Sequence, residues 1–258
     1  MKPTPFPLFA ICWPLLFLFM LTPSMTWATA DSPDKRSARD GRMVLVQPDT
    51  LDLPEPQEGE LTEHYARMMR YHSRIDGNIP DRSVIFIGDS ITQGLAVSAV
   101  ATPSVNYGIG SDTAVGVLHR IPEYRSIHRS RAVVIAIGIN DMRRRSDQEI
   151  LAHIQRIPTL IPESVPILFS AVLPLDETNR EQWAGWNENR IQPLNEAIRE
   201  WASQHDRLYV VNAGPDLVNA DGNLAAAYHI GDGIHLSSEG NAVWIRTLRS
   251  SLNEIAPQ

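Results

Sequence analysis

The sequence predicts an α/β protein built on a parallel sheet, and three observations carry that prediction. From residue 84 onward, short apolar runs alternate with stretches of helical period. Runs such as Val84-Ile85-Phe86-Ile87 and Ala132-Val133-Val134-Ile135-Ala136-Ile137 are apolar at every position, as expected of strands covered on both faces. Each ends in a cluster of small and polar residues, and open parallel sheets form their sites outside the carboxyl ends of the strands. Such alternation implies right-handed βαβ units.

The elements follow in order. Residues 31–58 are polar and rich in Asp, Arg and Pro; Pro48, Pro54 and Pro56 argue against a long regular element and for an extended tether. Over about 60–73, Leu61, Tyr65, Met68, Met69 and His72 share a helical face. His64 and His72 there are read as surface or packing histidines. Strand 84–87 leads into a helix expected to reach about 97, and a short strand near 104–107 leads to Gly108-Ile109-Gly110-Ser111-Asp112-Thr113. Val115, Val117, Leu118 and Ile121 mark the next helix, which Pro122 stops. The strand over 132–137 ends in Gly138-Ile139-Asn140-Asp141, and Ser146-Asp147 opens a helix to about 157. A strand over 167–172, a loop with Trp183 and Trp186, a helix over about 187–204, a strand over 208–211 and a helix from Leu236-Ser237 to about 253 complete the chain.

Composition narrows the function. At 258 residues, 43% hydrophobic and 21% charged, the chain has the makings of a sizeable core. Its net charge of -7 disfavours a nucleic-acid groove. The first thirty residues have the form of a signal peptide: Lys2, an apolar stretch from about 6 to 21, and Ala28-Thr29-Ala30 as a cleavage pattern. Pro7 and Pro14 interrupt that stretch, which is short for a span of about 20 residues. Export to a bacterial periplasm or beyond is therefore expected, with cleavage near Ala30 and no membrane insertion afterwards. The single cysteine, Cys12, lies inside the signal, so the mature chain is expected to lack disulfides, thiol nucleophiles and cysteine metal sites.

Chemistry concentrates at the strand ends. Ser90 follows Gly88-Asp89 at the mouth of a helix, where N–H groups and the positive dipole end favour a developing negative charge. Either Asp89 or Ser90 also suits a helix N-cap. Near the C-terminus stands Asp232-Gly233-Ile234-His235. His235 is suited to take a proton from a serine near neutral pH, and Asp232 to hold the imidazole in one tautomer. Acyl transfer further needs donors to an oxyanion, which the N–H groups of Ser90 and Gly108 and the Asn140 amide would supply.

Taken together, Gly88-Asp89-Ser90, Asn106-Tyr107-Gly108-Ile109-Gly110, Gly138-Ile139-Asn140-Asp141 and Asp232-Gly233-Ile234-His235-Leu236 closely resemble the motifs of the GDSL/SGNH hydrolases. The four family letters stand in order as Ser90, Gly108, Asn140 and His235. Residues 85–94 look most like the branch holding platelet-activating-factor acetylhydrolase subunits and bacterial carbohydrate O-acetyl esterases. The resemblance covers about 82–253, within a hydrolase domain taken as 59–258. It implies a three-layer α/β/α sandwich of flavodoxin type and a cofactor-free esterase. In it Ser90 is the nucleophile, His235 the base, Asp232 its partner, and Ser90, Gly108 and Asn140 the oxyanion donors. Ser111 departs from the pattern, since many relatives carry a second glycine before Asp112.

The expected substrate is a small-molecule or glycan ester with a short acyl group. The rivals are a long-chain lysophospholipase or thioesterase, an acyltransferase using the same acyl-enzyme, and a non-catalytic glycan-binding protein on the same fold. Gly108 and Gly110 lack the third glycine or Walker lysine of a nucleotide loop. His229, Asp232 and His235 do not have metal-ligand spacing. Asp112 and Asp141 are read as loop ties, and Trp183 and Trp186 as packing residues.

Overall fold

The computed structural model describes residues 52–179 and 188–257. The predicted signal peptide, most of the predicted tether, Trp183 and Trp186 lie outside them. In chain order the structure runs α1 (Glu63–Asp76), β1 (Val84–Gly88), α2 (Ser90–Gln93), β2 (Ser104–Gly108), α3 (Ala114–Arg120), β3 (Ala132–Ala136), α4 (Asp147–Arg156), β4 (Ile167–Ser170), α5 (Ile191–Ala202), β5 (Leu208–Val211) and α6 (Ser238–Ile255). Short 3-10 turns link several of these.

All strand pairs are parallel, in the order β2-β1-β3-β4-β5. Chain order reverses at β1, so the carboxyl end of β1 is the switch point where such sheets bind ligands. Register makes that edge level, because Gly88 pairs with both Gly108 and Ala136. The loops leaving β1, β2 and β3 therefore emerge side by side.

Alternating side chains build the layers. Ile85 and Ile87 of β1 enter one core with Tyr107, Val133, Ile135 and residues of α3, α4 and α5. Val84 and Phe86 enter the other with Val134, Leu168, Trp244 and Leu248. Full burial of one such aliphatic side chain is worth about 1.5–3 kcal/mol. The two cores sandwich the sheet, giving the expected three layers.

Some boundaries differ from the sequence reading. α1 starts at Glu63 because Thr62 Oγ1 accepts from the Tyr65 N–H at 3.0 Å and caps it. The helix after β1 stops at Gln93 rather than near 97. There Asn106 Nδ2 donates to the Thr92 and Leu95 carbonyls at 2.7 and 3.0 Å, ending the helical ladder. α4 carries a capping box between Ser146 and Glu149.

The segment before α1 and α1 itself lie against the sheet's first core. Leu53 packs there, and the Pro54 carbonyl lies 2.9 Å from His119 Nε2. Tyr65 donates its hydroxyl to the Gly116 carbonyl at 3.1 Å. His72 is buried with Nδ1 2.8 Å from the Tyr124 hydroxyl, and burial followed by the nearby Arg120 charge pulls its pKa down to about 3.

Candidate active site

The turn out of β1 is too tight for any residue but glycine at position 88. A Cβ there would lie 2.2 Å from Thr92 Oγ1 and 2.3 Å from the Ala136 carbonyl. Asp89 is the N-cap of α2, its Oδ1 accepting from the Ile91 N–H at 2.9 Å. Capping by Asp89 leaves the Ser90 hydroxyl to face across the sheet edge. Ser90 Oγ lies 2.9 Å from His235 Nε2, although 145 residues separate them. His235 Nδ1 lies 2.6 Å from Asp232 Oδ2, while Asp232 Oδ1 accepts from the Ile234 and His235 N–H groups at 3.0 and 2.9 Å. Burial pushes the Asp232 carboxyl up, but His235 and the two N–H groups outweigh it and hold the pKa below the usual value. An ionised Asp232 keeps the proton on Nδ1 and turns the Nε2 lone pair toward the serine.

The loop bearing this pair has its own anchor. His229 Nδ1 accepts from the N–H groups of Gly231 and Gly233, both at 3.0 Å. Its proton therefore sits on Nε2, which faces Asp176 Oδ2 at 3.4 Å. Asp176 N–H in turn donates to the Gly233 carbonyl at 2.8 Å. With φ of +78°, Gly233 takes a conformation that a side chain would strain.

On the oxyanion side two of the nearby backbone N–H groups are already engaged. Gly108 lies at the end of β2, and its N–H already donates to Asn106 Oδ1 at 2.8 Å. The Gly110 N–H is likewise engaged, with Gln93 Oε1 at 2.6 Å. Among the described residues, the Ser111 N–H has no hydrogen-bond acceptor. Ser111 is exposed, adopts φ +65°, and borders the same cleft as Asn140. Asn140 Nδ2 donates to the Asp112 carbonyl at 3.0 Å, which seats the amide beside that loop. Gly108 serves instead as a packing point, since a Cβ would meet Gln93 N at 2.3 Å.

Buried charges hold the two loops. Arg120 donates from Nε to Asp112 Oδ2 at 2.8 Å, and through its other nitrogens to the Tyr107 and Gly88 carbonyls at 2.6 and 2.9 Å. One guanidinium thus ties the ends of β1 and β2. Asp141 accepts from the Ala114 N–H at the start of α3, at 3.0 Å. Burial raises the pKa of Asp89 and Asp141 to about 7 and that of Asp112 to about 6. The loop-tie reading of Asp112 and Asp141 describes these contacts. Sequence reasoning passed over Arg120, and weighed His229 only as a metal ligand. An arginine beside Val117, Leu118 and Ile121 on an apolar helix face was the available signal for the first.

Two cavities flank the site. One, of about 20 Å³, is lined by Ile91, Ile139, Val172, Leu173 and Trp244 among others. Ile91 follows the serine and Ile139 precedes Asn140 in the chain. The other, of about 360 Å³, is lined by Gly59, Thr62, Ser111, Asn140, Arg143 and Arg144.

Fold and site together define a class: this is a carboxylic ester hydrolase on a doubly wound α/β sheet. More narrowly, the chain belongs to the GDSL-like lipase/acylhydrolase family, whose model matches residues 86–243. It is 29% identical over 201 residues to the platelet-activating factor acetylhydrolase IB subunit alpha1 of Pongo abelii, covering 74% of this chain and 85% of that protein. A structure from Streptococcus pneumonia, described as a platelet activating factor, superposes with a TM-score of 0.68 at 22% identity, over 74% of this chain and 93% of that one. An acetylxylan esterase from Geobacillus stearothermophilus does so with a TM-score of 0.53 at 21% identity, over 69% and 95%. At those identities the two structures speak for the fold alone.

Proposed function

We propose that the protein is an exported serine esterase that removes short acyl groups, chiefly acetyl, from a carbohydrate or cell-envelope glycan. The observation that carries the reading is the relay Ser90 Oγ–His235 Nε2 at 2.9 Å and His235 Nδ1–Asp232 Oδ2 at 2.6 Å. In this reading His235 takes the Ser90 proton as Oγ attacks the ester carbonyl, and Asp232 stabilises the imidazolium. The tetrahedral oxyanion is met by the N–H groups of Ser90 and Ser111 and by Asn140 Nδ2. Ser111 takes the place expected of Gly108, because the Gly108 N–H is already occupied. Collapse expels the alcohol, which His235 protonates, and water repeats the sequence on the acyl-enzyme.

The small cavity supports the short acyl group. A volume of about 20 Å³ is close to the space one water-sized group needs, about 10–15 Å³. In this reading it receives the acyl methyl. Export rests on the form of residues 1–30.

The test is hydrolysis of nitrophenyl acetate, butyrate and palmitate by the purified protein and by Ser90→Ala. The expected result is preference for acetate, abolished in the variant. Preference for palmitate would shift the reading to a long-chain lipase or thioesterase. Turnover that survives in Ser90→Ala would remove the assignment.

A further inference from the structure

The carboxylate that orients the base stands between two glycines. Gly231 and Gly233 flank Asp232 with φ of +101° and +78°, and their N–H groups converge on one acceptor, His229 Nδ1, at 3.0 Å each. A single ring nitrogen therefore pins the chain on both sides of Asp232. The tip of the loop is exposed at Ile230 and Gly231, whereas His229 beneath it is buried. Its base is closed by the antiparallel bridge between His229 and Leu236 and by the Ile230 N–H, which donates to the His235 carbonyl at 2.9 Å. The far side of the ring is held as well. Nε2 faces Asp176 Oδ2 at 3.4 Å, and the Asp176 N–H donates to the Gly233 carbonyl at 2.8 Å. Asp176 follows Leu175, which is buried in the first core. The ring thus joins the catalytic loop to the segment after β4.

We propose that His229 is a positioning residue for the relay Ser90–His235–Asp232, acting through the acceptor at Nδ1. The inference rests on the esterase reading above. For Asp232 to meet His235 Nδ1 with one oxygen and the Ile234 and His235 N–H groups with the other, the chain must turn back on itself at Asp232. That turn aims the Gly231 and Gly233 N–H groups inward, and donors so placed need a partner. His229 supplies it from a tautomer that leaves Nε2–H for Asp176. A histidine that served packing alone would need neither the acceptor nor the tautomer.

Two substitutions in the purified full chain separate these roles. Asn places Oδ1 where the ring has Nδ1 and keeps an acceptor for both glycines; Gln reaches toward Asp176 but has a carbon at that position. On nitrophenyl acetate, His229→Gln is expected to lower kcat by about 10–10²-fold, as a misplacement of about 1 Å in a catalytic group does, with KM changed by no more than about twofold. His229→Asn should keep kcat within about threefold of wild type. Equal kcat in the two variants, whether high or low, overturns the inference. Proton NMR gives a reading independent of turnover. The His235 Nδ1–H, held at 2.6 Å from Asp232, should resonate far downfield in the wild type, persist in His229→Asn, and shift or vanish in His229→Gln; a resonance unmoved in His229→Gln overturns the inference. Nitrogen spectra of the wild type need no variant to fold: they should show His229 protonated on Nε2, and a proton on Nδ1 overturns the inference. Should the wild type leave nitrophenyl acetate intact, the esterase reading fails, and the two NMR readings still decide what His229 holds in place.

Discussion

Replacing Glu60 by alanine should destabilise the protein by an amount the structure allows one to estimate. Glu60 is 2% exposed. Its two oxygens accept from Arg145 at 2.6 and 2.7 Å, from the Thr113 hydroxyl at 2.6 Å and from the Gln57 N–H at 2.5 Å. Without it, the Arg145 guanidinium stays buried, with Asp141 Oδ1 at 3.6 Å as its remaining ion-pair partner. Removing one member of a buried pair costs about 3–5 kcal/mol. For a domain of this size each kcal/mol shifts Tm by about 2–4 °C, so a drop of about 6–20 °C is expected. Circular dichroism melts at pH 7 measure it. Glu60→Ala combined with Arg145→Met should recover part of the loss, because the buried guanidinium that lost its main partner is then gone as well. The pH dependence gives a second check. Burial alone would raise the Glu60 pKa, but Arg145, Thr113 and Gln57 together hold it below 4.5. A lowered carboxylate pKa contributes stability that is present above the unfolded value and lost as pH falls through the folded one. The Tm gap between wild type and Glu60→Ala should therefore narrow below about pH 4.5. A drop of under about 2 °C at pH 7, or a gap that stays constant into acid, would refute the account of this pair.

Four further outcomes are expected. Asn140→Ala should lower kcat on nitrophenyl acetate by about 10²–10³-fold, the loss of one oxyanion donor, and an unchanged kcat would remove Asn140 from that role. Ser111→Gly should keep its turnover, since the proposed donor is the backbone N–H. It should also raise Tm by a few degrees, because a non-glycine residue at φ +65° costs about 1 kcal/mol. Ile139→Ala enlarges the small cavity, so the butyrate-to-acetate ratio of kcat/KM should rise; an unmoved ratio would place the acyl group elsewhere. Asp141, with its pKa raised from 3.8 to about 7, binds a proton in the folded state that the unfolded chain releases. This makes folding less favourable as pH rises through that window. Asp141→Asn should thus flatten the fall in Tm between about pH 4 and 7, and an identical slope in the variant would contradict the shift.

The strands were legible because their signal is local. Five consecutive buried positions in β1 announce themselves as an apolar run, and the turn at Gly88 follows directly from the small residue at its end. Boundaries were less legible where a distant side chain sets them. Asn106 ends α2 by capping carbonyls more than ten residues earlier, and nothing within 90–97 signals that interruption. The site shows the same division. Asp232 and His235 are three residues apart and meet through a local turn. Glu60 and Arg145 are 85 apart, and neither carries a mark of its partner.

The sequence alone therefore determined the alternation of strand and helix, the parallel sheet it demands, and the placing of Ser90, Asn140 and His235 in loops at strand ends. Periodicity and turn chemistry suffice for these, since both are read within a window of a few residues. Tertiary structure decided which backbone N–H groups remain free. Gly108 and Ser111 stand three residues apart in one polar loop, and the sequence reading named only Gly108 as a donor. The choice was made by Asn106, whose side chain occupies the Gly108 N–H, and by the shared register of Gly88 with Gly108 and Ala136. Hydrogen-bond accounting of this kind depends on which strands lie side by side, and that is settled only when the whole sheet has formed.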